Sequence, residues 1–135
     1  MIAKLLHTLL SGKGAPVRPA IAGPIGTLPI IMYTLESMER RHDDSGSFAS
    51  TTVTANADIF AANLIAADVI ARTLTTAIDA TRGVVIDQTL VEWAKVTDCA
   101  MNTATSTPGE ANAPTRLTLT FELEILLNLT PIPTP

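Results

Sequence analysis

The chain has 135 residues, of which 47% are hydrophobic, 4% aromatic and 16% charged, with a formal net charge of -4. That length supports one core and excludes two ordinary domains, so residues 1–135 read as a single domain. The charged share lies below the usual value of about 25%, which fits either a surface buried against partners or one covered by Thr and Ser hydroxyls. The nine Lys and Arg residues are scattered, and Arg40 and Arg41 are the one adjacent basic pair, which argues against direct clamping of a nucleic-acid backbone. An acidic surface close to DNA repels it, which suits a passage better than a binding site. The single cysteine, Cys99, excludes an intrachain disulfide. With no His or cationic cluster beside it in sequence, it reads as a small hydrophobe rather than a reactive thiol.

The first ten residues form a short amphipathic helix, with Leu5, Leu6, Leu9 and Leu10 on one face and Gly12 and Gly14 ending it. Its apolar run is too short and interrupted for a signal segment or a membrane span of about 20 residues. Residues 12–29 hold Pro16, Pro19, Pro24 and Pro29 and read as an irregular connection. Ile30–Ser37 reads as a short buried strand, followed by the charged run Glu39, Arg40, Arg41, His42, Asp43 and Asp44 as a hairpin loop, a turn at Asp44–Gly46 and a new strand from Phe48.

Between Thr51 and Asp79 the hydrophobic period switches. Val53, Ala55, Ala57 and Ile59 alternate as in a strand, whereas Ala67, Ile70, Ala71, Leu74 and Ile78 follow helical spacing. Asn63 is the natural N-cap and Gly83 the natural C-terminal stop, with Asn56 and Asp58 as alternative strand ends. A third strand falls within Val84–Thr97, where the alternation is imperfect. Residues 98–114 read as a long flexible loop. The clearest strand is Arg116–Asn128: Leu117, Leu119, Phe121, Leu123, Ile125 and Leu127 line one face, and Thr118, Thr120, Glu122 and Glu124 the other. Residues 129–135 form a stiff, extended, Pro-rich tail. These elements predict an α+β fold in the order α-β-β-α-β-β, a mainly antiparallel or mixed four-stranded sheet with two helices packed on one face.

This order, together with LLHTLL at 5–10, LPIIMYTLES at 28–37, ADIFAANLIAAD at 57–68 and TRLTLTFEL at 115–123, resembles the tail-terminator, or tail-completion, proteins of long-tailed bacteriophages and gene-transfer agents. The resemblance spans nearly the whole chain and rests on element order and on a Pro-aromatic entry to the first strand. It implies a virion protein made in the host cytoplasm that sits at the head-tail junction as a homohexameric ring. Such a ring stops the tail tube growing and joins it to the head-closure or connector proteins. DNA then passes nearby without specific binding, and no membrane is involved.

Other functions are weaker on the residues. Glu39, His42, Asp43 and Asp44 could ligate a metal or serve as acid and base, but a charged hairpin loop is normally just solvated. His7 sits on a helix surface, and the segment Gly12–Gly14 is too short for a phosphate loop. No catalytic, cofactor or metal residues are therefore assigned. The residues with a claim to a site are Thr118, Thr120, Glu122 and Glu124, as lining of a ring lumen or as an interface, and Glu39 to Asp44, as a partner-contact loop. A head-closure (stopper) protein or neck adaptor would have similar size and composition.

Overall fold

The computed structural model describes residues 2–20, 28–42, 49–103 and 115–126. Its elements are α1 (Ile2–Leu10), β1 (Val17–Pro19), β2 (Ile30–His42), β3 (Ala49–Ala61), α2 (Leu64–Asp79), β4 (Arg82–Ile86), β5 (Thr89–Thr103) and β6 (Thr115–Leu126). The strands form one mixed sheet in the order β1-β2-β3-β6-β5-β4. β1 runs parallel to β2, and every other pairing is antiparallel.

The expected four-stranded sheet is thus corrected to six strands, and each of the two additions has its own cause. β1 is three residues long, too short for any period to show, and it lies within the Pro-rich segment. Its edge position tolerates Pro19, which has no N–H to donate. β4 and β5 are two strands where one was expected, joined by a two-residue turn in which Asp87 and Gln88 both have positive φ, 50° and 63°. Such hairpin turns favour Asn-Gly or Asp-Gly, so Asp-Gln carries little signal. Within β5 the register shifts between Val91 and Trp93 and again between Val96 and Asp98. Each bulge delays the inward-facing residue by one position, giving the order Val91, Ala94, Val96, Cys99, Met101. A strict alternation could not reveal this strand.

Other boundaries also move. Gly83 does not stop α2; the helix ends at Asp79 with Ala80 as its C-cap, and Gly83, at φ +61°, lies inside β4. β3 runs through Asn56 and Asp58 to Ala61. β5 continues to Thr103, so residues 98–103 of the expected loop are strand, while residues 104–114 lie outside the described residues. β2 extends past Ser37 to His42, so Glu39, Arg40, Arg41 and His42 belong to a strand rather than a loop. Pro24, Asp43, Asp44, the expected turn at 44–46, Phe48, Leu127, Asn128 and the tail at 129–135 lie outside the described residues.

Both helices cover the same face of the sheet, as expected, and bury one core. Leu5, Leu6, Leu9 and Leu10 of α1 and Ala67, Ile70, Ala71, Leu74 and Ile78 of α2 meet the inward residues of β2, β3, β5 and β6. Ala55, Ala57 and Ala61 on β3, all fully buried, give the helices short side chains to rest on. α1 touches β1 and β2 at one edge of the sheet and β4 at the other, so the sheet curls until its two edges share one helix. An ion pair of 3.4 Å between Lys4 and Asp87, in the β4–β5 turn, lies on the same route.

Two stability outcomes follow. Phe121 is fully buried and Glu122 half-buried on the opposite face, so Phe121→Ala should cost about 3 to 5 kcal/mol in chemical denaturation and Glu122→Ala far less. The reverse ranking would mean a register error of one residue. Asn63 accepts a 2.8 Å hydrogen bond from the Ala66 backbone N–H. Asn63→Ala should therefore lower stability by about 1 kcal/mol, measured in the same titration.

Candidate functional site

The sheet face turned away from the helices is built from alternate residues of four neighbouring strands. Across it the register aligns Glu39, Thr52, Glu124 and Trp93; then Ser37, Thr54, Glu122 and Lys95; then Thr34, Asn56, Thr120 and Asp98; then Met32, Asp58, Thr118 and Ala100. Thr118, Thr120, Glu122 and Glu124, expected on one face, do share it, and they run along β6 near its centre.

Its polar side chains bond to one another rather than only to water. Thr118 donates to Asp58 at 2.6 Å, Thr120 to Asn56 at 2.9 Å and Thr52 to Glu124 at 2.7 Å. Asn56 donates in turn to Glu36. Arg116 reaches Asp58 at 3.3 Å and stands over the Phe60 ring at 5.8 Å, while Lys95 stands over the Trp93 ring at 5.2 Å. The ladder locks each hydroxyl in one direction and rigidifies a surface over which no helix packs among the described residues.

Glu124 is 6% exposed, so its carboxylate is held within this ladder, whereas Glu122 beside it stays half open. On the four central strands Glu36, Glu39, Asp58, Asp98, Glu122 and Glu124 outnumber Lys95, Arg116 and the register position of Arg41, so the acidic excess lies there; Arg18 of β1, level with Met32, and Arg82 of β4, level with Trp93, add cations at the two outer strands. Of the partners Thr52, Asn56 and Asp58, the sequence offers only Asn56 and Asp58, and those as alternative strand ends rather than site residues. Their signal was present as the polar half of the Thr51–Ile59 alternation, opposite Val53, Ala55, Ala57 and Ile59.

The charged run at 39–44 is not gathered with this face as a loop. Glu39 and Arg40 are exposed residues at the far end of β2, Arg41 and His42 complete that strand, and Asp43 and Asp44 lie outside the described residues. His7 is exposed on α1, edge-on to Tyr33 with ring centroids 6.2 Å apart. Among the described residues no three His, Cys, Asp or Glu side chains stand close enough to hold a metal ion. A groove of about 280 Å³ between α1 and the β1–β2 edge is lined by Ile2, Leu6, Pro19, Ala20, Tyr33 and Leu35 among others. Its lining supplies no nucleophile with a base. Cys99 is exposed, and partial burial together with Asp98 and Asp68 pushes its thiol above the ordinary value. That is the opposite of an activated cysteine.

The geometry sets two measurable outcomes. Thr52→Val leaves the covered Glu124 carboxylate without its hydroxyl donor and should lower stability by about 1 to 3 kcal/mol, read by denaturation against Thr54→Val as control. Thiol alkylation of Cys99 should have its pH midpoint above that of a free cysteine peptide. Asp98→Asn should move the midpoint down, because removing a neighbouring negative charge favours the thiolate.

No protein-family model matches the chain, and no curated protein sequence matches it. Among solved structures the fold is similar to a chain of the virion of a native gene transfer agent particle. The TM-score is 0.63 at 14% identity, and the match covers 90% of this chain and 84% of that one. At that identity the likeness is one of fold.

Proposed function

We propose that this chain is a structural subunit of a phage-like or gene-transfer-agent-like virion, with no catalytic role. In this reading it caps the finished tail tube as a homohexameric ring at the head-tail junction. The observation that carries it is the fold likeness to a gene-transfer-agent virion chain over nearly the full length of both chains. The element order and segments that resemble tail-terminator proteins agree with it. The partners are further copies of the chain, the tail-tube protein and the connector or head-closure proteins, and the ring is assembled in the host cytoplasm.

The polar sheet face fits the wall of such a ring. A surface of interlocked Thr, Asn and carboxylate groups is rigid, wet and acidic on balance, so a DNA backbone sliding past finds little to hold it. Repetition around a ring multiplies that acidity at the levels of Glu39 with Glu124, of Asp98 and of Asp58, while at the Glu122 level Lys95 stands beside the carboxylate. Of the two glutamates of β6, Glu122 faces the passage most openly, because Glu124 is tied to Thr52. A second reading, in which the chain is a stopper or neck adaptor of the connector, uses the same subunit with a different neighbour. It is favoured by a chain that forms rings only with portal components.

Electron microscopy and mass measurement of the purified chain, with and without its tail-tube protein, test the assignment. Rings seated on tube ends are expected, and rings found only on connector proteins would replace it with the adaptor reading. For the lumenal face, Glu122→Lys in every subunit should leave folding and ring formation intact and lower DNA delivery by assembled particles. Normal delivery would place this face on the outside of the ring.

A further inference from the structure

Among the described residues the sheet has two free edges, and they lie at opposite corners. β1 pairs only with Ile31–Tyr33 of β2, which leaves β2 without a described partner strand on that side from Thr34 to His42. β4 pairs only with the first part of β5, up to Trp93. Just beyond it, the outward N–H groups of Ala94 and Val96 are taken by the Thr81 carbonyl at 3.0 Å and the Asp79 carboxylate at 2.9 Å. The open stretch of β5 therefore begins at about Asp98 and runs to Thr103. Open edges of this length on an apolar-flanked sheet are normally covered or blunted.

Each edge carries exposed apolar side chains on the helix-covered side of the sheet. Met38 on β2 is 45% exposed and pairs within the chain with the buried Val53; Met101 on β5 is 55% exposed and pairs with the buried Leu117. Charge on that same side is complementary: Arg40 is exposed on β2, whereas Cys99 on β5 lies near the Asp68 carboxylate of α2. β2 and β5 run in opposite directions, since three antiparallel steps separate them. Copies set side by side in the same orientation would thus continue the sheet antiparallel, with all helices on one side.

We propose that a second copy of this chain docks its β2 edge, Ser37–Arg41, antiparallel on the β5 edge, Asp98–Asn102, with Met38 against Met101 and Arg40 against Cys99. In this register Glu39 falls opposite Ala100 and Arg41 opposite Asp98, so no like charges face each other across the junction. Two different edges meet, so the contact is heterologous and builds a ring or a filament rather than a closed pair. Within one chain Cys99 is level with Tyr33 of β2, so meeting Arg40 displaces the neighbour by about 20 Å along the strands. The four strand spacings crossed per copy span about 19 Å. A ring that closes flat then holds its strands about 45° to its axis, at the upper end of the usual tilt of closed barrels. The inference rests on the ring reading above and supplies its junction.

The test uses the natural Cys99 as one half of a crosslink. Arg40→Cys, oxidised at mildly alkaline pH, should give a ladder of covalent dimers, trimers and higher species, because each copy then has one thiol on each edge. The unaltered chain, with Cys99 alone, can give no more than dimers. Met38→Asp and Met101→Asp should each shift the assembled species to monomer with an unchanged melting midpoint. Mixing the two variants should restore dimers, through the one junction that keeps both methionines. Multimers by mass that yield no ladder and ignore both aspartate variants would overturn this junction and leave the ring reading standing. A chain that stays monomeric and unlinked at every concentration and on tube ends would overturn both.

Discussion

The pairing of β3 with β6 is the constraint on which the rest of the structure depends. Twelve consecutive residue pairs, from Ser50 with Leu126 to Ala61 with Thr115, join strands far apart in sequence without a single bulge. Because side chains alternate strictly along both, this one register sends Val53, Ala55, Ala57 and Ile59 to the same face as Leu117, Leu119, Phe121, Leu123 and Ile125. It also sets Thr52, Asn56 and Asp58 beside Glu124, Thr120 and Thr118. A slip of one residue would bury the carboxylates and strand the core in water.

Around this pair the outer strands are permitted their irregularities. β2 bulges between Leu35 and Ser37 and β5 bulges twice, each time keeping its apolar residues on the helix side while increasing the local twist. The accumulated twist curls the sheet, and α1 then spans from the β1–β2 edge to β4. Four leucines on a nine-residue helix suffice for that closure, since such a helix has little stability of its own and is held by packing.

The two faces divide the work of the molecule. One is dry, with alanines of β3 and α2 letting helix and sheet approach closely. The other carries the hydrogen-bonded polar ladder, ends in a small buried apolar cluster of Ile30, Met32 and Phe60, and has no helix over it among the described residues. The chain thus has a polar face, a helix-covered face and, among the described residues, two open edges at opposite corners, in a fold similar to that of a chain of a gene transfer agent virion.

What the sequence by itself determined was whatever a local period or cap controls. The leucine face of α1, the Asn63 cap and helical stripe of α2, the inward set of β6 and the shared face of Thr118, Thr120, Glu122 and Glu124 all follow from spacing along one segment. The tertiary structure decided what depends on distant partners. β1 exists only because β2 offers it an edge, β5 keeps its face only through bulges matched to β6, and the Asp87–Gln88 turn is imposed by the hairpin rather than by its residues. Glu39 and Arg40 look like a solvated loop until β3 extends them as strand. Likewise, Glu124 and Glu122 are indistinguishable in the alternation, and only the Thr52 hydroxyl across the strand separates a held carboxylate from an open one.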